Sequence, residues 1–443
     1  MTGGIETTMR DAVNERLVMV GAAIPQDLMD AIMRTDRYPQ VQTHKLSWAV
    51  IRGIECCGKV IDLISTVPIS DYPQSNWVWS GYRRWDRANG SDNRLVPFIN
   101  VLGLKQLTRF LGCVVILLRW SIAHRWHKRH VFLYGLISPH LYAVRFVRLL
   151  LPTKVTVLIA DLPGLAPGLE PWWRRLLRPI DRSMVRSAVQ SVDGAIVLTS
   201  QIAEEYTPNV PALVMEGIVS VESEELAKTM LEPGERPKEF IVLYAGALAE
   251  RYGIPLLLDA FAELPDQDFR LWLCGRGDME EYIGRVAEED TRIRFFGVVS
   301  PEEVFRRSRQ ATVLINPRSS REGFTSYSFP SKLLEYMAAG RPVVTARLPG
   351  IPAEYGPYLV WLDRETPEGL AALLRQLREQ PPEKLDALGR RGRDFVLQEK
   401  NYRQQGKRIV AFIERINSLR TSRPRLRRAE RVQERGSDHH EEA

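Results

Sequence analysis

The chain is poor in cysteine and has no long hydrophobic run. Four of its 443 residues are cysteine, and no C-x-x-C pair occurs. This composition excludes a disulfide scaffold and a cysteine-rich metal site, and it is typical of a reducing compartment. The longest apolar run, residues 110–118, is far shorter than the roughly 20 residues of a membrane-spanning helix. Residues 1–15 lack a secretory signal pattern, so we expect a cytoplasmic protein, peripheral at the inner membrane face at most.

Acidic residues are scarce in the N-terminal part. The formal net charge is +7, and residues 1–180 carry 23 basic and 13 acidic residues. A local basic excess favours a polyanion, an anionic membrane or a phosphorylated substrate as partner. No nucleic-acid-binding module is visible, so we expect no nucleic acid among the partners.

Two clusters in this basic part combine arginine with tryptophan. Their members are Arg119, Trp120, Arg125, Trp126, Lys128 and Arg129 in one cluster, and Trp172, Trp173, Arg174, Arg175 and Arg178 in the other. Helices with Trp and Arg bind at anionic bilayer surfaces, which predicts peripheral contact with an anionic membrane. The alternative is that the tryptophans are core residues and the arginines form a solvated face.

Strand patterns rich in valine and isoleucine alternate with helical patterns along most of the chain. The predicted strands of the first half lie at 17–24, 59–64, 94–101, 131–136, 155–160 and 194–198, and a helix is predicted over 102–128. After residue 239 the same alternation restarts and ends in a predicted helix over 385–415. This pattern predicts an α/β protein with two Rossmann-like, doubly wound parallel-sheet domains facing a cleft.

The predicted domain boundaries follow the breaks in this pattern. An N-terminal domain covers 1–218, a charged linker with proline and glycine covers 219–238, and a C-terminal domain covers 239–395. We expect the helix 396–418 to pack back toward the N-terminal domain and the Arg-rich tail 419–443 to be disordered. Ligands of open α/β sheets bind beyond the carboxyl ends of the strands, so the chemistry is expected in loops facing the cleft.

The strongest local signal is the stretch FPSKLLEYMAAG. Pro330 begins a short predicted helix and Gly340 follows its end. The first turn carries Ser331 and Lys332, and a helix N-terminus with a lysine attracts phosphate. Glu335 is three residues further on, so its carboxylate faces the same side and suits the hydroxyls of a ribose. The alternative is a capped helix in which Lys332 and Glu335 form an ordinary ion pair.

Three glycine turns follow predicted strands in the C-terminal half. The absence of a side chain at Gly246 lets the backbone approach a diphosphate, and Arg251 is close enough in sequence to reach the same phosphates. The next two turns, at positions expected to line the cleft, are Gly275-Arg276-Gly277 and Gly297-Val298-Val299. The alternative for Gly246 and Gly275 is that they only form tight turns.

Four motifs occur in a recognisable order: LYAGALAERYGIPLLLDAF, LCGRGD, FFGVVSPEE and the FPSK segment. They resemble the donor site of GT-B glycosyltransferases, specifically the retaining glycosyltransferase family 4. The variant YSFPSK…EYMAAG is most similar to transferases of bacterial exopolysaccharide and surface-glycan assembly. The resemblance follows the whole chain but is sharp only in the C-terminal half. It implies a GT-B fold, a nucleotide-diphosphate sugar as donor substrate and no other cofactor, with the backbone at Val298 and Val299 reading the nucleotide base.

The first departure from the family pattern concerns a carboxylate. Many members place two glutamates eight residues apart around this loop, whereas the residue eight positions before Glu335 is Tyr327. Glu322 lies nearby in sequence and is the candidate that would point toward the sugar.

The second departure concerns the cations of the glycine loop. The common pattern has Arg after the first glycine and Lys before the second, whereas this chain has Ala247 and Tyr252. The cations available instead are Arg251, Arg318 and Lys332.

The acceptor is expected in the N-terminal half. Asp161 follows a buried-looking strand, where a carboxylate is well placed to touch an acceptor hydroxyl, and its alternative is a turn-forming aspartate. His140 follows another strand and either contacts a sugar or is a packed or helix-capping histidine. Gly21 ends the first strand and would adjoin the acceptor, although the family's glycine doublet is absent there.

These observations lead to one hypothesis and two alternatives. The hypothesis is a metal-independent, hexosyltransferase-type enzyme that transfers a sugar to a glycan or lipid-linked acceptor, with Lys332, Arg251, Glu322 and Asp161 as catalytic candidates. Cations aimed at the departing nucleoside diphosphate would stabilise its growing charge. The triplet Asp266-Gln267-Asp268 precedes a strand, so it is interpreted as a solvated turn and not a metal site. The alternatives are a nucleotide-sugar epimerase of the same architecture and a non-catalytic partner protein, which the tyrosine at 327 permits.

Overall fold

The computed structural model describes residues 15–37, 39–160, 162, 181, 183–229 and 238–419. Two parallel sheets dominate it, each with packed hydrophobic clusters on both faces. This is the doubly wound α/β arrangement that the sequence predicts.

The first half of the chain forms the larger sheet. Its strands are β1 Glu15–Gly21, β2 Ile61–Ser65, β3 Trp79–Ser80, β4 Arg83–Asp86, β5 Asp92–Leu95, β6 Phe98–Ile99, β7 Lys128–Tyr134, β8 Lys154–Ile159, β9 Gly194–Val197 and β10 Ala212–Val214. The order in the sheet is β10-β9-β8-β7-β1-β2-β5-β4, parallel except at the edge strand β4, while β3 and β6 pair separately. The helices are α1 Gln26–Thr35, α2 Val41–Cys56, α3 Leu104–Ala123, α4 Ser138–Leu150, α5 Ser200–Tyr206 and α6 Val221–Thr229.

The second half forms a six-stranded, fully parallel sheet. Its strands are β11 Phe240–Ala247, β12 Phe269–Arg276, β13 Ile293–Phe295, β14 Val313–Asn316, β15 Val343–Thr345 and β16 Val360–Trp361. Their order is β13-β12-β11-β14-β15-β16, which is the strand order of nucleotide-binding Rossmann folds. The helices are α7 Ile254–Ala262, α8 Glu280–Glu289, α9 Pro301–Gln310, α10 Lys332–Ala338, α11 Pro367–Arg378, α12 Pro382–Glu399 and α13 Tyr402–Ser418, with short 3-10 turns at Glu250–Tyr252, Gly323–Ser326 and Ala353–Tyr358.

Several element boundaries differ from the sequence prediction. The predicted strand 94–101 is divided into β5 and β6, and the predicted helix 102–128 ends at Ala123. The predicted helix 385–415 is two helices, because the Asn401 side chain accepts a hydrogen bond from the Gln404 N–H and starts α13 anew. Within the predicted linker 219–238, residues Val221–Thr229 form α6. The sequence analysis did not predict α1 and α2.

The helix α3 has two different faces. It is long and apolar enough to span a membrane by length and composition alone. Its inner face packs on the N-terminal sheet, where Trp120 is buried and donates a hydrogen bond from Nε1 to Asp62 at 2.8 Å. The prediction that Trp120 belongs to a surface cluster is therefore wrong, because its indole is held in the core by a buried carboxylate.

The last helix, α13, lies against α2 on the N-terminal sheet. The two helices cross at Gly53 and Gly406, where a Cβ atom built on Gly406 would lie 2.1 Å from the Gly53 carbonyl oxygen. Glycine at both positions therefore allows the two backbones to touch, and this contact joins the end of the chain to the first sheet.

A buried ion pair lies where the chain crosses between the two sheets. The Lys400 amine is 2.5 Å from Glu216, and both side chains are 2 % exposed. Tyr355 donates a hydrogen bond to the same carboxylate at 2.7 Å, and Lys400 also pairs with Glu354 at 2.6 Å. Because Glu216 comes from the first half of the chain and Tyr355 from the second, this cluster connects the two domains.

Candidate active site

Each sheet reverses its strand order at one point, and the residues at both points line the cleft between the domains. The reversals lie between β1 and β7 and between β11 and β14. Ligands of open α/β sheets bind at such points, beyond the carboxyl ends of the strands. A cavity of about 260 Å³ lies there, with Tyr134 and Ala160 lining it from the first domain and Ser331 and Glu335 from the second.

The end of β11 is tied to the start of α10. The Tyr336 hydroxyl accepts a hydrogen bond from the Ala245 N–H at 2.7 Å and donates one to the Ala245 carbonyl at 3.0 Å. The Lys332 amine donates to the same carbonyl. A Cβ atom on Gly246 would lie 2.6 Å from the Tyr244 hydroxyl oxygen and 3.1 Å from Lys332 Cε, so glycine leaves room for both side chains at the strand end.

Two arginines stand beside Lys332 on a pair of aromatic rings. The Arg251 guanidinium lies 4.5 Å from the Phe324 ring centre and 5.3 Å from that of Tyr252. The Arg318 guanidinium lies 4.7 Å from the Tyr252 ring centre. The two rings meet edge to face, with centroids 6.0 Å apart. The rings hold both guanidinium groups by cation–π contacts and shield them from water.

Together, Arg251, Arg318 and Lys332 form what we call the cation cluster. Among the residues that the structure describes, no carboxylate forms an ion pair with any of the three, and Arg251 Nε is a buried donor without a partner. Burial lowers the pKa of Lys332, the nearby Glu335 carboxylate partly offsets this, and the charge of Arg318 lowers the pKa further. Burial also lowers the pKa of Arg318, with Arg251 contributing in the same direction. The site therefore has positive charge that a bound anion would stabilise.

Two glycines bring backbone close to this cluster. Gly275 has a φ of +132°, and a Cβ atom there would lie 1.8 Å from the Gly246 carbonyl oxygen. Gly253 has a φ of +80°, and its Cβ atom would lie 1.9 Å from the Pro317 carbonyl oxygen. Only glycine fits at either position, so Gly253 and Gly275 fix the course of these turns. This is the tight-turn role given as the alternative for Gly275, and its contact with a donor stays a prediction.

A second, smaller cavity of about 170 Å³ continues the cleft beside α10. Ala245, Val299, Lys332 and Glu335 line it together with Ser220. Val298 is 61 % exposed and does not line this cavity, whereas its neighbour Val299 does. The two valines predicted to frame the nucleotide base therefore differ in position, and Val299 is the one beside the cation cluster.

The remaining predicted donor residues are placed unequally. Ser331 lines the larger cavity, and Glu335 lines both cavities without forming an ion pair to Lys332. Arg276 is exposed at the end of β12, and Glu322 is exposed at the start of a 3-10 turn, neither of them in a cavity lining. Among the described residues, neither Arg276 nor Glu322 forms an ion pair or a ring contact with the cation cluster, although Arg276 is paired with Ala247, the residue after Gly246. The Lys332–Glu335 ion pair, which was the alternative for this helix, is not present.

Tyr327, at the place of the missing glutamate, faces the first domain. Its hydroxyl is hydrogen-bonded to Glu205, whose charge raises the pKa of Tyr327. The tyrosine therefore links the donor-domain loop to α5 and does not replace a carboxylate at the donor.

The sequence prediction missed the helix α2, which supplies most of the first domain's side of the cavity of about 260 Å³. Gln42, Lys45 and Arg52 project from it into the larger cavity, and Trp48 lines the same cavity with its Nε1 donating to the Ile24 carbonyl at 3.0 Å. The available signal was the spacing of Gln42, Lys45 and Arg52, which repeats at helical intervals along an otherwise buried helix.

The predicted acceptor residues of the first domain are mostly structural. His140 is fully buried, its Nε2 lies 3.1 Å from Thr66 Oγ1, and burial lowers its pKa to about 3. His140 is therefore a packed core histidine and not a residue that contacts a sugar. Gly21 packs against Tyr134. A Cβ atom on Gly21 would lie only 2.8 Å from the Tyr134 Cβ, so no larger residue fits there. Asp161 lies outside the described residues, as does the second Trp–Arg cluster.

The Asp266-Gln267-Asp268 triplet is at the opposite end of its strand from the cleft. Asp268 forms an ion pair with Arg378 at 2.5 Å. Within the described ranges there is no cluster of three or more His, Cys, Asp or Glu side chains that would hold a metal ion.

A family comparison covers the part of the chain that holds the cation cluster. Residues 239–380 match the model of the family Glycosyl transferases group 1. This range runs from β11 to the end of α11 and includes the whole cation cluster. The C-terminal domain therefore resembles this family over most of its length.

The fold of the chain as a whole is that of the GT-B glycosyltransferases. It is similar to α,α-trehalose 6-phosphate synthase from Burkholderia multivorans, with a TM-score of 0.62 and 12 % identity over 91 % of this chain and 97 % of that one. It is also similar to HepE of Anabaena in complex with UDP-glucose, with a TM-score of 0.54 and 12 % identity over 90 % and 99 % of the two chains.

Sequence similarity to curated relatives is local. A D-inositol 3-phosphate glycosyltransferase from Corynebacterium diphtheriae is 31 % identical over 155 residues, which are 32 % of this chain and 35 % of the relative. The chain thus spans about a third of the length of the curated relatives that it matches.

Proposed function

We propose that the protein is a retaining glycosyltransferase that moves a hexosyl group from a nucleotide-diphosphate sugar to a glycan or lipid-linked acceptor. The observation that carries the proposal is the cation cluster, three cations without a carboxylate partner in the described residues, at the reversal point of a Rossmann sheet. A nucleoside diphosphate has the charge and the length to occupy this place. The UDP-glucose bound by the similar HepE structure makes that compound the first donor to test.

The difficult step of the proposed reaction is departure of the nucleoside diphosphate. As the anomeric carbon–oxygen bond breaks, negative charge grows on the leaving β-phosphate. Fixed cations in a site shielded from water stabilise such charge, and their removal costs about two to three orders of magnitude in rate in comparable cases. Lys332, Arg251 and Arg318 supply this stabilisation, and Glu335 is placed to accept hydrogen bonds from the ribose hydroxyls.

The proposed retention of configuration follows from front-side attack. The acceptor hydroxyl approaches from the side of the leaving phosphate, and that phosphate takes the proton, so no protein base is needed. The proposal includes no metal ion, because the cation cluster provides the positive charge that a metal would otherwise bring.

An open groove supports a glycan as acceptor. The groove measures about 500 Å³ and adjoins the cavity of about 260 Å³, since Trp48 and Arg52 line both. Trp85 and Arg87 line its outer part, and Arg87 is held by Glu55 at 2.6 Å. Flat aromatic side chains beside fixed polar groups are suited to the apolar faces and the hydroxyls of sugar rings. We therefore place the acceptor glycan along Trp48 and Trp85, with a role in exopolysaccharide or surface-glycan synthesis on the cytoplasmic side.

A nucleotide-sugar screen tests the proposal. A ligand that binds only the folded state raises the melting temperature, so nucleotide sugars of uridine, guanosine and adenosine are compared by thermal shift, with the free nucleosides as controls. We expect one nucleotide sugar to stabilise the protein and its nucleoside to have little effect. Absence of stabilisation by every donor would favour a non-catalytic partner protein.

Incubation with the stabilising donor alone separates the two enzyme classes. A glycosyltransferase leaves the donor sugar unchanged or slowly hydrolyses it, whereas an epimerase isomerises it without an acceptor. Nuclear magnetic resonance of the donor gives the answer, and an isomerised sugar would overturn the proposal.

A further inference from the structure

The outer face of α3 is an apolar stripe that no part of the described chain covers. Its residues are spaced three, four or seven positions apart and are between 46 and 54 % exposed: Leu104, Leu107, Leu111, Val115 and Ile122. The inner face of the same helix is also apolar and packs in the core. A helix that is apolar on both faces and solvent-exposed on one is typical of a surface that binds an apolar partner.

The neighbouring helix α4 widens this stripe. Phe110 and Phe146 make an edge-to-face contact between the two helices, with ring centroids 6.5 Å apart. Leu149 is 74 % exposed at the end of α4, and Trp126 is 79 % exposed just beyond α3. The apolar surface therefore spans two parallel helices on one side of the N-terminal sheet.

The segment that contains the stripe carries charge of one sign. From residue 93 to residue 160 the sequence contains ten Lys and Arg residues and no Asp or Glu. Arg119, Arg125 and Arg145 are exposed, and none forms an ion pair with a described residue. Lys105 and Arg148 are paired with Asp71 and Asp193 from other segments, which leaves Arg119, Arg125 and Arg145 as the exposed cations beside the apolar side chains. Cations beside an apolar stripe complement a surface that is apolar inside and anionic outside.

We infer that this face of α3 and α4 docks the protein on an anionic lipid bilayer. The leucines, Phe146 and Trp126 enter the boundary between headgroups and acyl chains, and the arginines contact the lipid phosphates. Near the start of α3, Arg109 donates a hydrogen bond to the Val67 carbonyl just beyond the carboxyl end of β2, so α3 begins at the end of the sheet that faces the cleft. Docking therefore places the acceptor side of the proposed active site at the membrane, where a lipid-linked acceptor is presented; this last step rests on the proposed function.

Vesicle co-sedimentation tests the docking surface directly. The full chain is mixed with vesicles of phosphatidylcholine alone or of phosphatidylcholine with phosphatidylglycerol. We expect binding to the anionic vesicles and much weaker binding to the neutral ones, with added salt weakening the former.

Two pairs of variants separate the apolar and the electrostatic parts. Leu107→Gln with Leu111→Gln is expected to weaken binding to the anionic vesicles by roughly a hundredfold. Arg119→Gln with Arg125→Gln is expected to weaken it by roughly thirtyfold and to remove the preference for anionic lipid. The matched controls are Met33→Gln with Tyr282→Gln and Arg390→Gln with Arg391→Gln, which change exposed residues elsewhere and should bind as the unmodified protein does.

The vesicle experiments can fail without any failure of the proposed glycosyltransferase function, because donor binding is measured separately. Unmodified protein that binds no vesicles, or stripe variants that bind as well as the controls do, would overturn the inference. The inference would also be overturned if the unmodified protein binds no vesicles but forms a dimer, and if Leu107→Gln with Leu111→Gln dissociates that dimer. That result would show that a second copy of the chain covers the stripe. Thermal shift with the nucleotide sugar is run on the same variants, because donor binding in the cleft should be unchanged in all of them.

Discussion

The amine of Lys332, at the start of α10, donates a hydrogen bond to the carbonyl oxygen of Ala245 at the end of β11. This contact fixes the lysine across the strand end beside Gly246, with Arg318 close enough to lower its pKa. The lysine is thereby oriented before any ligand arrives, which is the condition for strong electrostatic stabilisation of a leaving group.

Replacing Lys332 with alanine should remove catalysis while leaving the fold intact. We expect turnover to fall by about two to three orders of magnitude, because one fixed charge at the leaving phosphate is lost. Release of the nucleoside diphosphate measures the rate, and circular dichroism checks the fold. Lys384→Ala, a substitution of an exposed lysine on α12, is the control. Unchanged turnover in Lys332→Ala would exclude the role given to this residue.

Arg251 and Arg276 are both sequence candidates for the donor site, and they differ in burial. The Arg251 guanidinium lies on the Phe324 ring and its Nε is buried without a partner, whereas Arg276 is exposed at the end of β12. Calorimetry should show that Arg251→Gln weakens nucleoside diphosphate binding by about ten- to a hundredfold, the worth of a hydrogen bond to a charged group. Arg276→Gln should change the affinity by less than about threefold. Equal losses in the two variants would contradict the site as described.

Binding of the diphosphate should take up protons at alkaline pH. Burial and Arg318 lower the pKa of Lys332 in the free protein, and a bound anion beside the amine raises it again. The protonated amine attracts the diphosphate, so affinity should fall as the pH rises through the pKa of free Lys332. Calorimetry in buffers of different ionisation enthalpy counts the protons. A proton count near zero across this range, or one that persists in Lys332→Met, would refute this linkage.

Gly275 and Gly297 both have positive φ values but differ in their surroundings. A Cβ atom on Gly275 would overlap the Gly246 carbonyl oxygen, whereas one on Gly297 meets nothing within 4 Å. Gly297→Ala should therefore cost only about 1–2 kcal/mol of unfolding free energy, the backbone strain alone. Gly275→Ala should cost more, because β11 and β12 must separate, and it should also lose donor binding. Denaturant unfolding of the two variants makes the comparison, and equal costs would show that the close approach is absent.

Lys400 should stabilise the connection between the two domains. Removing one partner of a buried ion pair leaves the other charge without compensation, at a cost of about 3–5 kcal/mol. We expect this loss for Lys400→Met, because Glu216 is buried with it. Arg83→Met breaks the exposed pair with Asp27 at 3.2 Å and should cost less than about 1 kcal/mol. Similar losses in the two variants, measured by denaturant unfolding, would argue against the domain connection.

The donor half of the site was well predicted from sequence because its signals are local. Lys332, Glu335 and Gly246 each belong to a strand-turn-helix unit whose pattern the sequence displays directly. The resemblance to a known family added the order of these units. The structure then brought Arg251 and Arg318 together with Lys332, as expected of the available cations.

The acceptor half was poorly predicted because it depends on long-range contacts. The arginines near Trp120 in sequence favour a surface position, but Asp62, 58 positions earlier in the chain, accepts a hydrogen bond from its indole in the core. His140 follows a strand like a site residue, but Thr66 from another strand end holds it in the core. Helix α2 faces the cleft only because α13, at the far end of the sequence, covers its other side. None of these pairings has a local sequence pattern.

The central claim, that the cation cluster holds a diphosphate, is tested most directly by comparing nucleoside diphosphate with monophosphate in one calorimetric cycle. The nucleotides of uridine, adenosine and guanosine are titrated into the unmodified protein and into Arg318→Gln, using the base that binds best. We predict that the unmodified protein prefers the diphosphate by about tenfold or more and that Arg318→Gln loses most of this preference while its monophosphate affinity changes little. An unmodified protein that binds the two equally, or a variant that keeps the full preference, would contradict the account.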